Sequence, residues 1–181
     1  CAATVAGKTY GVAKRASIVA VQALGCDGSG SVAGVIAAIE WSLNDVLSKG
    51  RQRRAVFSMS LGGGPSEAED AAVLAAYNAG VVVVVAAGNN AANACYNSPA
   101  RVGSAITVGS IASGDSISSF SDWGPCVDIF APGTSVLSAS SSSDVASTTM
   151  SGTSSARSLH APSPSPPPAR PTAGPLQPAG L

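Results

Sequence analysis

Charged residues are scarce in this sequence, 11% of the chain, and neither sign is in excess: ten Lys and Arg face ten Asp and Glu. Such a balance offers no basic surface for nucleic acid and no acidic excess to act as a solvating tail. Long apolar runs are missing too. The longest, Val81 to Ala87, falls far short of the roughly 20 residues needed to cross a bilayer, so neither nucleic acid nor membrane is expected as a partner. No charged-then-apolar leader opens the chain, and a start at Cys1-Ala2-Ala3 without Met reads as truncated. Histidine is nearly absent, with His160 the only one. The four cysteines, at 1, 26, 95 and 126, show no CxxC spacing, and with a single histidine they make no zinc site. They read either as disulfide partners in an oxidising compartment or as buried free thiols of a cytosolic protein.

What the chain does have is apolar content, 45% of 181 residues, enough for one core-bearing domain. Ala16 to Leu24 is a short, nearly continuous apolar run closed by Gly25, and it predicts a buried strand. From Ser31 to Lys49 the apolar residues Val32, Val35, Ile36, Ile39, Leu43, Val46 and Leu47 recur every three or four positions, with Gly50 as the stop. That is the period of an amphipathic helix. Ala55 to Ser60 predicts a second strand. Ser66 and Glu69 have the spacing of a capping box that opens a helix to about Asn78, ended by Gly80. Five valines, Val81 to Val85, suit a central strand covered on both faces. Shorter strands are expected near Ile106 to Ser110, Val127 to Phe130 and Ser135 to Leu137.

Strands and helices alternating at these distances give right-handed crossovers and an α/β domain, a mainly parallel sheet with helices on both faces. Composition then breaks. After a Ser-rich stretch at Ser138 to Ser143, prolines crowd the segment from Pro162 to Pro178. Proline lacks the N–H donor for helix or ladder, so residues 155–181 are expected to be a disordered or polyproline-like tail behind a domain at 1–154. Pro164 to Pro167 and Pro168 to Pro171 fit PxxP spacing, which any proline-dense stretch produces.

Four glycine- or serine-bearing turns fall where open α/β sheets place their ligands, at the carboxyl ends of the expected strands. They are Gly28-Ser29-Gly30, Ser60-Leu61-Gly62-Gly63-Gly64, Ala86-Ala87-Gly88-Asn89 and Ser151-Gly152-Thr153-Ser154. Taken alone, Gly28, Gly30 and Gly34 between a strand and a helix would also suit a dinucleotide loop. Order decides otherwise. Tyr10 to Lys14, Ser60 to Gly64, Ala86 to Asn90, Phe120-Ser121, Asp128 to Thr134 and Ser151 to Ser154 resemble, in this order, the signature segments of the subtilases, and most closely the proteinase K and aqualysin branch. The resemblance covers about residues 1–154.

The resemblance implies a secreted, subtilisin-like serine endopeptidase that acts on polypeptides as a monomer. Ser154 takes the place of the nucleophile, whose oxygen attacks the scissile carbonyl once a His accepts its proton. Asn89 takes the place of the oxyanion-hole residue, whose amide would act beside the Ser154 backbone N–H. Ser60, Leu61 and Gly62, with Ala86, Ala87 and Gly88, would wall the pocket for the side chain before the cut bond. Gly28, Ser29 and Gly30 would be the edge on which an extended peptide adds as a strand. Asp128, with the carbonyls of Gly103 and Ala105, takes the place of a structural calcium site, whose oxygen donors suit that hard cation. No cofactor is expected for catalysis. In the aqualysin-like relatives a disulfide spans the positions of Cys95 and Cys126; if it forms here, a closed loop of about 31 residues adds roughly 3–4 kcal/mol. Cys26 is then expected unpaired and Cys1 buried and free.

The chain also departs from the pattern. The catalytic Asp belongs on a first strand that this sequence does not contain, and Cys1 falls four residues after the place of the catalytic His. His160, six residues after Ser154, reads as a tail residue rather than a base. Where the family continues from its nucleophile as Met-Ala-Thr-Pro-His into a long buried helix, this chain runs Ser155-Ala156-Arg157-Ser158-Leu159-His160, so that helix is expected to be missing. Peptide hydrolysis by this chain alone is therefore not expected. The competing readings are a non-catalytic relative that keeps the cleft for binding, and the dinucleotide-binding domain.

Overall fold

The strand Val82–Ala86 organises everything around it. Successive side chains of a strand face opposite sides, so Val83 and Val85 enter one core with Val35, Ile39, Met59, Val73 and Ala76. Val84 enters a second core with Val108, Ala131 and Ala156. A β-branched run is stiff at χ1 and packs well on both sides of a pleated layer. Val83, Val84 and Val85 are each at most 1% exposed.

The computed structural model describes residues 1–159. Its elements in chain order are α1 (Ala2–Ala6), α2 (Val32–Ser48), β1 (Val56–Met59), α3 (Glu67–Asn78), β2 (Val82–Ala86), β3 (Ile106–Ile111), β4 (Ile129–Pro132), β5 (Val136–Ala139), β6 (Ser147–Met150) and α4 (Thr153–Leu159). The first four strands make a parallel sheet in the order β1-β2-β3-β4, with Val56 opposite Val82, Val84 opposite Ile106 and Val108 opposite Ile129. β5 and β6 form a separate antiparallel hairpin. The α2 and α3 side supplies the first core and α4 covers the other face, touching all four parallel strands. This is the α/β architecture expected from the strand and helix alternation.

Local chemistry explains the helix ends. The Ser31 hydroxyl accepts from the Gly34 N–H at 3.1 Å and starts α2. The Ser66 hydroxyl accepts from the Glu69 N–H at 3.3 Å and starts α3, whose first turn holds Glu67, Glu69 and Asp70, the sign favoured at a helix N-terminus. Gly80, at φ +87°, turns the chain out of α3 into β2.

Two expectations need correction, and one strand was not foreseen. Residues 16–24 form no strand, and Ile18, Val19 and Val21 are 49%, 59% and 39% exposed. An apolar run becomes a buried strand only when a ladder and a covering layer reach it, and the sheet ends at β1 without taking this segment in. Residues 155–159 are helical rather than disordered: α4 runs through the boundary drawn after Ser154, with Ala156, Arg157 and Ser158 buried. Ala156 packs into the second core, a tertiary gain that outweighs a weak local pattern. The proline-dense part of the expected tail lies outside the described residues. Finally, β6 was not anticipated, because Ser147-Thr148-Thr149-Met150 has little apolar character and pairs through its backbone with β5.

Candidate active site

Because β1 and β2 are parallel neighbours, their carboxyl ends emerge side by side. Ser60, Leu61 and Gly62 follow β1, while Ala86 closes β2 and leads into Ala87, Gly88 and Asn89. The Ser60 loop is held by a two-way bridge, the Gly63 N–H donating to the Ser98 carbonyl at 2.9 Å and the Ser98 N–H returning to Gly63 at 3.2 Å. The Ala87 N–H donates to the Val108 carbonyl at 3.0 Å, which extends the ladder one residue past β2.

The segment before α4 arrives at this same rim. The Gly152 N–H donates to the Gly133 carbonyl at 2.8 Å. Asn89 Oδ1 accepts from the Thr153 N–H at 2.9 Å and from the Thr153 hydroxyl at 3.0 Å, and that hydroxyl accepts from the Gly88 N–H at 3.3 Å. With Oδ1 engaged twice, the planar Asn89 amide is fixed, and among the described residues its NH₂ meets no acceptor, on an exposed residue. Ser154 is the next residue, half-buried in the first turn of α4, and among the described residues no acceptor meets its backbone N–H. An amide NH₂ and a backbone N–H at one rim are the kind of donors that can steady an oxygen acquiring negative charge.

One organising residue escaped the sequence reading. Asp122 is fully buried, and its Oδ1 accepts from the Asn90 N–H at 2.7 Å and the Ala92 N–H at 3.0 Å. Its Oδ2 accepts from the Asn97 amide at 3.2 Å, and its own N–H donates to the Gly88 carbonyl at 3.0 Å. Asp122 therefore clamps the turn that carries Asn89. Gly88, at φ +119°, is required there because a Cβ would strike the Asp122 carboxylate. The signal in the sequence is a lone Asp after Phe120-Ser121, which spacing alone does not connect to a turn some thirty positions earlier.

The remaining predicted residues lie elsewhere. Gly28, Ser29 and Gly30 form an exposed turn ahead of α2, closed by Asp27, whose carboxylate accepts from the Ser29 N–H at 3.0 Å and the Ser29 hydroxyl at 2.7 Å. The Ser29 hydroxyl, and then its N–H, hold the Asp27 carboxyl below its ordinary range. Asp128 precedes β4, and Gly103 and Ala105 precede β3, at the amino edge of the sheet, opposite the Asn89 rim. Asp128 Oδ2 accepts from the Thr107 N–H at 2.9 Å. A carboxylate and backbone carbonyls are the oxygen donors that a hard cation such as calcium would need. A cleft of about 580 Å³ between α3 and the Cys95 and Cys126 side chains contains none of the predicted residues.

Beneath Ser154 the structure holds an unexpected cation. Arg157 is 1% exposed, and it donates through Nη1 to the Ser58 hydroxyl and through Nη2 to the Ser60 hydroxyl at 2.6 Å. Burial pulls its pKa down to about 10, so it stays protonated at neutral pH. The Cys1 thiol lies 3.3 Å from the Ser60 hydroxyl and is exposed rather than buried. Cys26 is also free and exposed, while Cys95 and Cys126 form the disulfide.

Residues 1–159 match the model of the subtilase family. The chain belongs to the subtilase family. This subtilase chain is 52% identical over 155 residues to an extracellular serine proteinase of Thermus sp. (strain Rt41A), covering 86% of this chain and 37% of that protein. It is 51% identical over 156 residues to a cuticle-degrading serine protease of Arthrobotrys oligospora (strain ATCC 24927 / CBS 115.81 / DSM 1491), again over 86% of this chain and 37% of the relative. The subtilase chain thus spans a little over a third of the length of these relatives. The crystal structure of a cold adapted subtilisin-like serine proteinase superposes with a TM-score of 0.77 at 48% identity, over 87% of this chain and 55% of that one. No helix among the described residues is long and apolar enough to cross a membrane.

Proposed function

We propose that this subtilase chain supplies the nucleophile and oxyanion side of a secreted serine-type endopeptidase that cleaves polypeptides through an acyl-enzyme. The observation that carries this reading is the double hydrogen bond from Thr153 to Asn89 Oδ1, which brings an asparagine amide and Ser154 to one rim although 64 residues separate the bonded pair. Ser154 would attack the scissile carbonyl, and the Asn89 NH₂ and the Ser154 N–H would hold the resulting oxyanion. Ser60, Leu61, Gly62, Ala86, Ala87 and Gly88 would wall the side-chain pocket between the ends of β1 and β2, and Gly28, Ser29 and Gly30 would receive the extended peptide backbone. Calcium held by Asp128 and the Gly103 and Ala105 carbonyls would tie the starts of β3 and β4 together. The Cys95–Cys126 disulfide and the extracellular character named for the Thermus relative support secretion.

The chain by itself is inactive in this reading, because Ser154 Oγ meets no base among the described residues and a serine hydroxyl without one is a poor nucleophile at neutral pH. Triad knockouts of a related subtilisin lower turnover by about 10⁶. The test is hydrolysis of a chromogenic peptide by the purified chain and by its Ser154→Ala variant. No cleavage by either is expected, and cleavage that disappears in Ser154→Ala would overturn the inactivity. The lack of a partner for Ser154 Oγ also favours a second reading, a non-catalytic peptide-binding relative. A full-length gene carrying an upstream Asp strand and a His-Gly-Thr-His segment would decide for the enzyme.

A further inference from the structure

The rim is closed twice. Thr153 binds Asn89 directly, and a second path runs behind that contact through buried hydroxyls. Ser110 on β3 is fully buried, and Ser118 and Ser121 in the loop after β3 are 3% and 2% exposed. The Ser118 hydroxyl lies 2.7 Å from that of Ser110 and 2.7 Å from that of Thr134, which sits between β4 and β5. With two hydroxyl neighbours it donates to one and accepts from the other. A buried hydroxyl bonded on both sides holds one rotamer, because turning away would leave polar atoms unpaired in a low-dielectric setting.

Each end of this hydroxyl chain reaches one half of the rim. At the first end, the Ser118 N–H donates to the Ser110 carbonyl at 2.9 Å. The Ser110 N–H donates to the Ser121 hydroxyl at 2.9 Å, and that hydroxyl donates to the Asp122 carbonyl at 2.9 Å. The loop fixed in this way carries the Asp122 clamp and Phe120, whose carbonyl accepts from the Ala91 N–H at 2.9 Å, two residues past Asn89. At the other end, Thr134 stands between Gly133, whose carbonyl receives the Gly152 N–H at 2.8 Å, and Ser135, whose N–H donates to the Ser151 hydroxyl at 2.9 Å. Ser151 and Gly152 lead straight into Thr153 and Ser154. Gly133 fits the same design, since a Cβ there would strike both the Ser110 hydroxyl and the Gly152 carbonyl.

We propose that Ser118 and Thr134 are positioning residues, whose hydroxyls set where Ser154 stands relative to Asn89 without touching substrate. Their purpose rests on the protease reading of the rim, but the linkage itself is geometric and is measurable in a chain that hydrolyses nothing.

NMR of the ¹⁵N-labelled full chain reads the linkage from its far side. Thr134→Val replaces the hydroxyl by a methyl of similar size. It is expected to shift the Asn89 side-chain NH₂ signal and to quicken amide exchange at Ala91 about fivefold, as for the loss of one ordinary hydrogen bond. Thr134→Ser keeps the hydroxyl and should return both to wild-type values. Ser118→Ala should act as Thr134→Val does and also shift the Ser154 N–H, while Ser119→Ala, at an exposed neighbour, should change none of these. A merely structural role would lower Tm in Thr134→Val and leave the Asn89 signal in place, and that result overturns the proposal, as does Thr134→Ser behaving like Thr134→Val. Should Ser118→Ala and Thr134→Val fail to fold, wild-type exchange in dilute urea serves instead. Ala91 and Gly152 are then expected to open with one free energy and one urea dependence, and separate openings overturn the linkage. A full-length gene without the upstream Asp strand and His segment would sink the enzyme reading, whereas shifted Asn89 signals would still uphold the linkage.

Discussion

The Ser98 hydroxyl accepts the backbone N–H of Ser66 at 2.9 Å. In a complete capping box that N–H would go to the side chain of Glu69. Ser98 has taken the partner, and Glu69 is 4% exposed with its Oε1 meeting no donor among the described residues. Burial, and then the neighbouring Asp70 charge, raise its pKa.

The sign of the pH effect follows. A raised folded-state pKa means that the native state holds its proton more tightly than the unfolded chain. The stability this group contributes is present below the ordinary glutamate range, near 4.3, and is lost as pH rises through the folded value. Glu69→Gln should therefore be more stable than the wild type at pH 7, with the gap closing towards pH 4. Urea unfolding at the two pH values measures it, and a gap independent of pH would refute the assignment.

Asp122 should be costly to lose. Truncation to Ala removes a buried carboxylate that accepts from the partly buried donors of Asn90, Ala92 and Asn97, at a cost of about 2 kcal/mol for the lost charge-assisted hydrogen bonds. Denaturant melts give the energy. Amide exchange should quicken at Asn90 and Ala92, and unchanged protection there would show that the turn does not depend on this carboxylate.

The tie between Asn89 and Thr153 can be weighed by a double-mutant cycle. Asn89→Ala and Thr153→Val each remove the side-chain part of the contact, and their interaction energy is expected at about 1 kcal/mol. Additive effects would mean that the two residues are neighbours without coupling.

The disulfide closes a loop with a separation of 31 residues. Replacing both Cys95 and Cys126 with Ala should lower stability by about 3 kcal/mol, read as a fall in Tm of about 10 °C. A shift below about 2 °C would place the loop's rigidity in the Asp122 clamp instead.

Legibility in the sequence followed how local each cause is. Val81 to Val85, the Ser31 and Ser66 caps and Gly80 act within a turn or a strand, and those elements lie within a residue or two of expectation. The apolar run at 16–24 carries the same local signal, yet no ladder takes it in. Arg157 shows the converse, since nothing in Ser-Ala-Arg-Ser indicates that a guanidinium would be buried against β1. Of the candidate site, the motif order singled out Asn89 and Ser154, which the bonds from Thr153 bring to one rim. The Asp122 clamp depends on bonds across 25 to 32 positions, which spacing cannot reveal.

Each parallel strand pairs with the next one in chain order, so the layer can assemble by short steps. The bonds from Thr153 to Asn89 span 64 residues and depend on α4 settling across all four strands. The loop-closure cost of that contact is met only after the layer beneath it exists. The rim is thus the last part to mature, and damage to any strand will show first as slackness there.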